Sequence, residues 1–237
     1  MNDNYLKGMW LKMNMEECKI QNLYTLENTI AEPFLKRYTY PWEALKNIGD
    51  FIVELGNKLP KEDYIVKGEN VWISKTANIA ETAYIKGPAI ICDNVEIRHC
   101  AFIRGNAIVG KNAVVGNSTE LKNVILFDNV QVPHYNYVGD SILGYKAHMG
   151  AGSITSNVKS DKKLVIIKNN VTGEMIETNR KKVGAMLGDF VEIGCGSVLN
   201  PGTVIGKNTN IYPLSSVRGV VPEDSIYKDE NNIVHKV

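Results

Sequence analysis

From Ile73 to Phe127 an aliphatic or aromatic side chain falls on every sixth residue: Ile73, Ile79, Ile85, Ile91, Ile97, Ile103, Val109, Val115, Leu121 and Phe127. A helix spaces its apolar residues three and four apart and a half-buried strand two apart, so a period of six fits neither. It fits short strands joined by tight turns and stacked as a solenoid, each repeat covering the hydrophobic face that its neighbour exposes. Four residues after each of these comes a second inward candidate, mostly small: Ala77, Ala83, Ala89, Val95, Ala101, Ala107, Ala113, Thr119, Ile125 and Gln131.

After Phe127 the register slips to Val132, Val138, Leu143 and Met149. It gives way to an irregular stretch from about Thr155 to Met186, then resumes as Leu187, Ile193, Leu199, Ile205, Ile211 and Val217. Gly188, Gly194 and Gly206 follow three of these, where a turn is expected to need a positive φ. The expected fold is an all-β solenoid of hexapeptide repeats over residues 66–221, with a β-hairpin insertion at 155–186. A helical N-terminal segment at 1–65 and a C-terminal tail at 222–237 flank it.

In the N-terminal segment Pro41 stands as a first helical residue ahead of Trp42, Leu45, Ile48, Ile52 and Leu55. This predicts one amphipathic helix that ends near Gly56 and Pro60. An earlier helix is expected from about Thr25 to Tyr38, broken near Pro33. The segment is short for an independent domain and should pack on the first coil or on a neighbouring subunit. The polar tail should wind back over the solenoid's end and hide its open strand edge.

With 44% hydrophobic residues, 22% charged and a net charge of +1, the chain carries no electrostatic demand for nucleic acid or a membrane surface. It shows no signal-peptide core and no apolar run of spanning length. Cys18, Cys92, Cys100 and Cys195 have no CxxC spacing, and those in the repeat occupy expected small buried positions. Free thiols and a cytoplasmic location are the expectation.

Chemistry is expected where the repeat breaks. There the chain reads VPHYNYVGDSILGYKAHMGAGSITSN, residues 132–157. His134 precedes Tyr135 and Tyr137, a Gly139-Asp140 turn and the segment GAGSITSN. A lone histidine at a coil corner is ordinarily just a surface residue, but these neighbours resemble the acetyltransferase domain of bifunctional enzymes that acetylate glucosamine 1-phosphate and then attach uridylate. That family belongs to the hexapeptide-repeat acyltransferases, and the resemblance implies a left-handed parallel β-helix whose chains pack as homotrimers. In the family's pattern a substrate arginine lies thirty residues before the histidine and a lysine twelve before it; here these are Arg104 and Lys122. The asparagine and lysine downstream fall on Asn157 and Lys163.

The resemblance implies His134 as general base. An imidazole with an unperturbed pKa of about 6.5 suits removal of a proton from an amine that attacks the thioester of acetyl-coenzyme A. It further implies that Arg104, Lys122 and Lys163 hold a sugar phosphate, that Tyr137 and Asn157 position the sugar and its amine, and that Ala151 contacts the coenzyme. The Gly150-Ala151-Gly152 turn is a candidate oxyanion donor. Thioester aminolysis needs no metal, and none is expected. Histidines at the positions of His99, His134 and His148 lack the close pair a zinc site would use.

The stretch between Lys163 and Gly188 is similar to the archaeal-type sugar-phosphate nucleotidylyltransferase and amino-sugar acetyltransferase. It has two alternating apolar runs around Thr172-Gly173, as a hairpin requires, and then Arg180, Lys181 and Lys182, which could reach an anionic substrate or the coenzyme's phosphates or could end in solvent. TYPWEAL at residues 39–45 looks like that family's linker helix. No glycine-rich nucleotide-binding loop precedes the repeats, so no pyrophosphorylase activity is expected. His148 stands where the bacterial family has an asparagine, which leaves the acceptor open. The readings that remain are an N-acetyltransferase on glucosamine or galactosamine 1-phosphate, an acyltransferase on a nucleotide-linked amino sugar, and a non-catalytic trimeric sugar-phosphate-binding scaffold.

Overall fold

The computed structural model describes residues 15–170 and 172–236, so the first fourteen residues of the expected N-terminal segment lie outside it. Within it the chain is a parallel β-solenoid. Strands pair with the strand one coil on, eighteen residues later, as at Val71↔Ala89, Ala89↔Ala107, Ile97↔Val115 and Ile103↔Leu121. Three hexads make one coil and give it three faces. The first carries Val71–Ser74, Ala89–Ile91 and Ala107–Val109, the second Asn78–Ile79, Glu96–Ile97 and Val114–Asn117, and the third Tyr84–Ile85 and Phe102–Ile103. The sixfold residues line the interior and are buried from Ile91 onward.

The second face is a nine-stranded sheet, whereas the first and third are joined in one sheet of fourteen strands. They join because two strands, Glu120–Leu126 and Tyr137–Leu143, run unbroken through a corner. Glu120–Leu126 pairs with Phe102–Ile103 at one end and with Ala107–Val109 at the other. Straightening the corner removes one residue from the hexad, so Val109 pairs with Leu126 and Leu126 with Leu143, each seventeen residues on. The slip therefore lies between Leu121 and Leu126, one hexad earlier than the apolar pattern suggests. Phe127 is buried outside the ladder, its ring 5.0 Å from that of Tyr24. Gln131, expected inward, is exposed while its neighbour Val130 takes the interior.

Leu143↔Leu187 and Thr155↔Leu199 are forty-four residues apart, which places the insertion between Thr155 and Ala185. It contains the antiparallel hairpin Ile166–Lys168 with Met175–Glu177. In the tail, Ser225–Asp229 extends the second face and Asn232–His235 folds back antiparallel upon it. The tail thus adds strands to the solenoid's end instead of only wrapping over it.

The N-terminal segment forms short helices: Ile20–Leu23, Glu32–Leu35, Pro41–Ala44 and Ile48–Gly56. The single helix expected from Pro41 is two, separated where the Leu45 carbonyl accepts a hydrogen bond from Asn123 Nδ2 at 3.1 Å. Pro33 lies in the first turn of a helix instead of breaking one, because a first-turn position leaves its missing N–H without consequence. The segment is not confined to the first coil. Its Leu23 carbonyl accepts from the Asp189 N–H and its Asn28 carbonyl from the Asp128 N–H, both at 3.0 Å, and the Tyr24 hydroxyl donates to the Ile142 carbonyl at 3.3 Å.

Two further expectations are corrected. Gly188, Gly194 and Gly206 do not take a positive φ; a Cβ there would meet the next coil's backbone at 2.8, 2.4 and 2.4 Å, so close stacking is what requires glycine. All four cysteines are free thiols, but Cys100 and Cys195 are exposed on corners while Cys18 and Cys92 are buried. Among the described residues no helix is long and apolar enough to cross a membrane.

Candidate functional site

The straightened corner gathers most of the expected substrate residues. Asn106, Asn123 and Asp140 stack there on successive coils, each in the left-handed region at φ of 51, 57 and 49°, which short Asn and Asp side chains tolerate best after glycine. Asp140 is 2% exposed. Its carboxylate accepts from Asn157 Nδ2 at 2.6 Å, from Asn123 Nδ2 at 2.8 Å and from Lys122 Nζ at 3.1 and 3.3 Å. A buried carboxylate needs such partners to be tolerated at all, and here they orient two of the expected substrate residues at once.

Tyr137 and Arg104 complete the cluster. The Tyr137 hydroxyl accepts from Asn157 Nδ2 at 3.3 Å. Burial, with Asp140 and Glu120 nearby, pushes the phenol's pKa up, so it keeps its proton as a donor. Arg104 lies beside Lys122 on the preceding coil, following the register Ile103↔Leu121. Its Nη1 donates to Glu120 Oε1 at 2.5 Å, and that contact raises its pKa further.

His134 stands on the other side of the same turn of chain. It ends the strand Gln131–His134 on the second face, and Tyr137 opens the strand on the third. Its ring is exposed and makes no hydrogen bond among the described residues. On the next coil the Gly152 N–H donates to the His134 carbonyl at 3.0 Å, and the Gly150 N–H donates to the Ile193 carbonyl at 2.7 Å. Of the three N–H groups in the Gly150-Ala151-Gly152 turn, that of Ala151 alone has no acceptor among the described residues. Histidine and free N–H thus occupy adjacent coils at one exposed corner.

The structure does not bring Lys163 into the cluster. It lies on the exposed approach to the hairpin, where its backbone N–H donates to Asp161 Oδ1 at 3.0 Å. His148 is also elsewhere, on the second face with Nδ1 2.8 Å from Glu192 Oε2. Beside Asp140 instead opens a groove of about 500 Å³ whose lining includes Lys46, Lys122, Arg180, Lys181 and Lys182. The hairpin's return is pinned there: the Val183 N–H donates to the Asn157 carbonyl at 3.0 Å and the Gly184 N–H to the Asp140 carbonyl at 2.8 Å. A Cβ at Gly184 would lie 2.1 Å from the Gly139 oxygen, so no other residue permits this approach. Among the described residues no group of three or more His, Cys, Asp or Glu is arranged to hold a metal ion.

Sequence reasoning missed two members of this site. Asp140 entered only as half of a turn, and Lys46 did not enter at all. A carboxylate at a coil corner within reach of a lysine seventeen or eighteen residues earlier is the signal that would have found the first.

Three comparisons bear on this arrangement. Residues 85–183 match the family model described as the GMPPB C-terminal domain. The bifunctional protein GlmU of Methanococcus maripaludis is 34% identical over 200 residues, covering 83% of this chain and 48% of that protein. The bifunctional sugar-1-phosphate nucleotidylyltransferase/acetyltransferase of Sulfurisphaera tokodaii is 33% identical over 176 residues, covering 67% and 43%. The chain spans about half the length of the curated relatives it matches. A hexapeptide transferase family protein from Anaplasma phagocytophilum aligns at 16% identity with a TM-score of 0.39, covering 70% of this chain and 79% of that one.

Proposed function

We propose that this chain, a hexapeptide-repeat protein related to the C-terminal part of GlmU-type bifunctional proteins, transfers the acetyl group of acetyl-coenzyme A to the amine of an amino-sugar 1-phosphate, glucosamine or galactosamine. The observation that carries the reading is that a solvent-facing imidazole and a backbone N–H unpaired among the described residues stand at one corner, and the polar cluster of Arg104, Lys122, Tyr137 and Asn157 lies along the third face, which Tyr137 opens directly after that corner.

His134 is the general base, its ring left open to accept a proton from the attacking nitrogen. As the new C–N bond forms, the thioester carbonyl becomes a tetrahedral oxyanion, which the Ala151 N–H meets on the adjacent coil. The C–S bond then breaks, and the imidazolium returns its proton to the departing thiolate. Arg104 and Lys122 hold the acceptor phosphate, the arginine by its planar fork and the lysine as a compact charge. Tyr137 donates to the sugar, and Asn157 is held by Asp140 to face the same ligand. Lys163 belongs to the phosphate set only if the loop before the hairpin folds inward with substrate bound.

The reading includes a homotrimer with the coenzyme between subunits. Tyr135, 65% exposed, follows His134, and Leu214, 84% exposed, stands on the same edge three coils on; a neighbouring subunit packed along that edge would cover both. Release of free thiol from acetyl-coenzyme A, measured with a panel of amino-sugar 1-phosphates and nucleotide-linked amino sugars, tests the proposal. Turnover on a 1-phosphate supports it, and no turnover on any acceptor removes it in favour of a binding scaffold.

A further inference from the structure

The groove beside Asp140 holds more positive charge than a sugar monophosphate calls for. Its lining carries five cations, Lys46, Lys122, Arg180, Lys181 and Lys182, against the single carboxylate of Asp140. That carboxylate already accepts three side-chain donors. Among the described residues Lys46, Arg180, Lys181 and Lys182 pair with no carboxylate. Arg180 Nε is buried with no hydrogen-bond partner among the described residues. An unmet buried donor is destabilising, and an anion in the groove would meet it.

Three separated stretches of chain are fixed in place to make this lining. Lys46 is held by the bond from Asn123 to the Leu45 carbonyl. Lys122 is held by Asp140. Arg180 is held at the hairpin's foot, where its carbonyl accepts from the Val165 N–H at 2.8 Å and its own N–H donates to Thr178 Oγ1 at 3.2 Å. Lys182 bridges to Val158, next to Asn157. Arg104 is not part of the lining and is engaged by Glu120 on the neighbouring coil.

A phosphate monoester carries a charge of only about −1.5 to −2 near neutrality. We propose that the hairpin foot and the N-terminal segment build a diphosphate-binding subsite onto the solenoid, with Arg180, Lys181, Lys182 and Lys46 as its cations and Lys122 as its link to the cluster at Asp140. The diphosphate has two sources, a nucleoside-diphosphate-linked acceptor or the pyrophosphate of the coenzyme, and assigning one of them rests on the acetyl-transfer reading. The existence of the subsite does not.

The probe is inorganic pyrophosphate, titrated calorimetrically into the full chain at near-physiological salt, with orthophosphate alongside. Pyrophosphate should bind at least about tenfold more tightly than orthophosphate. Arg180→Gln and the exposed double variant Lys181→Gln/Lys182→Gln should each weaken it by roughly tenfold, the scale of one charge-assisted hydrogen bond. The exposed pair keeps the test valid if Arg180→Gln fails to fold. In turnover assays the variants should raise the KM of one substrate with kcat unchanged. A rise for a nucleotide-linked acceptor assigns the subsite to the acceptor, and a rise for acetyl-coenzyme A assigns it to the coenzyme. Undetectable pyrophosphate binding at millimolar concentration, equal affinity for orthophosphate, or variants that bind as the wild type does would each overturn the proposal. Pyrophosphate binding without acetyl transfer would leave the subsite standing and remove the enzymatic reading instead.

Discussion

Replacing Asp140 by asparagine isolates the role of its charge. Asparagine has nearly the same shape and the same tolerance of a φ near 49°, so backbone strain drops out of the comparison. One carboxylate oxygen becomes an NH2 group, which must then face either Asn157 Nδ2 or Asn123 Nδ2, now 2.6 and 2.8 Å from an acceptor. A hydrogen bond to a charged group is lost at about 1.5–3 kcal/mol, and a donor is set against a donor. Lys122 loses its anion as well, but with its side chain 26% exposed it can rehydrate, so the loss stays below the roughly 3–5 kcal/mol of a fully buried pair. The expected net destabilisation is about 2–4 kcal/mol. Urea unfolding followed by the fluorescence of the buried Trp42 and Trp72, at fixed protein concentration, reads it as a lower midpoint with an unchanged slope. The acceptor KM should rise in parallel, because Asn157 and Lys122 lose their common anchor. A loss under about 0.5 kcal/mol together with an unchanged KM would refute the assignment of Asp140 as the anchor.

Three other outcomes are expected. His134→Ala should lower kcat by about 10²–10⁴ while leaving the urea midpoint in place, since the ring is exposed and unbonded; unchanged thiol release would remove His134 as base. An aromatic disulfide reagent should titrate Cys100 and Cys195 rapidly in the native chain. It should reach Cys18 and Cys92 only on unfolding, since burial raises both thiol pKa values, that of Cys92 to about 12. Four thiols reacting at one rate would contradict the burial. Burial also raises the pKa of Asp128 above its ordinary carboxylate value, so the folded chain keeps that proton longer than the unfolded one does. Its contribution is favourable below the unfolded pKa of about 3.9 and is lost as pH rises through the folded value. Asp128→Asn should therefore gain stability relative to wild type between pH 4 and pH 7, and a gain independent of pH would show that the charge is not what matters.

The solenoid was legible because its signal is redundant: each coil repeats the same inward positions, and one irregular residue does not hide the period. The position of the slip was harder to read. Leu126 and Phe127 are both apolar and both buried, and only the pairing of Leu126 with Val109 and Leu143 tells which one keeps the ladder. Arg104, Lys122, Tyr137 and Asn157 became candidates through the resemblance, and they come together in space because strands in register turn fixed separations along the chain into adjacency. Asp140 did not become one, since its importance depends on three donors supplied by two other coils. Lys46 was invisible for a related reason: it belongs to a non-repeating segment whose place is set by bonds to distant coils, among them the one from the Asn123 side chain to the Leu45 carbonyl. The glycines after Leu187, Ile193 and Ile205 were recognised as special for the wrong reason, because sequence cannot separate a demand on φ from a demand for space.

In an unadorned solenoid each coil touches only its neighbours, so stability is a sum of local terms and the ends can fray independently of the middle. The N-terminal segment changes that arithmetic here. Running along the first face, it bonds through Leu23 to Asp189, Tyr24 to Ile142, Asn28 to Asp128 and Leu45 to Asn123. It acts as a lateral strap that couples coils from before the insertion to coils after it. A coil in that span cannot open without breaking bonds shared with the others, so the corner carrying Asp140 should melt as one cooperative unit, while the coils beyond the strap remain free to breathe on their own.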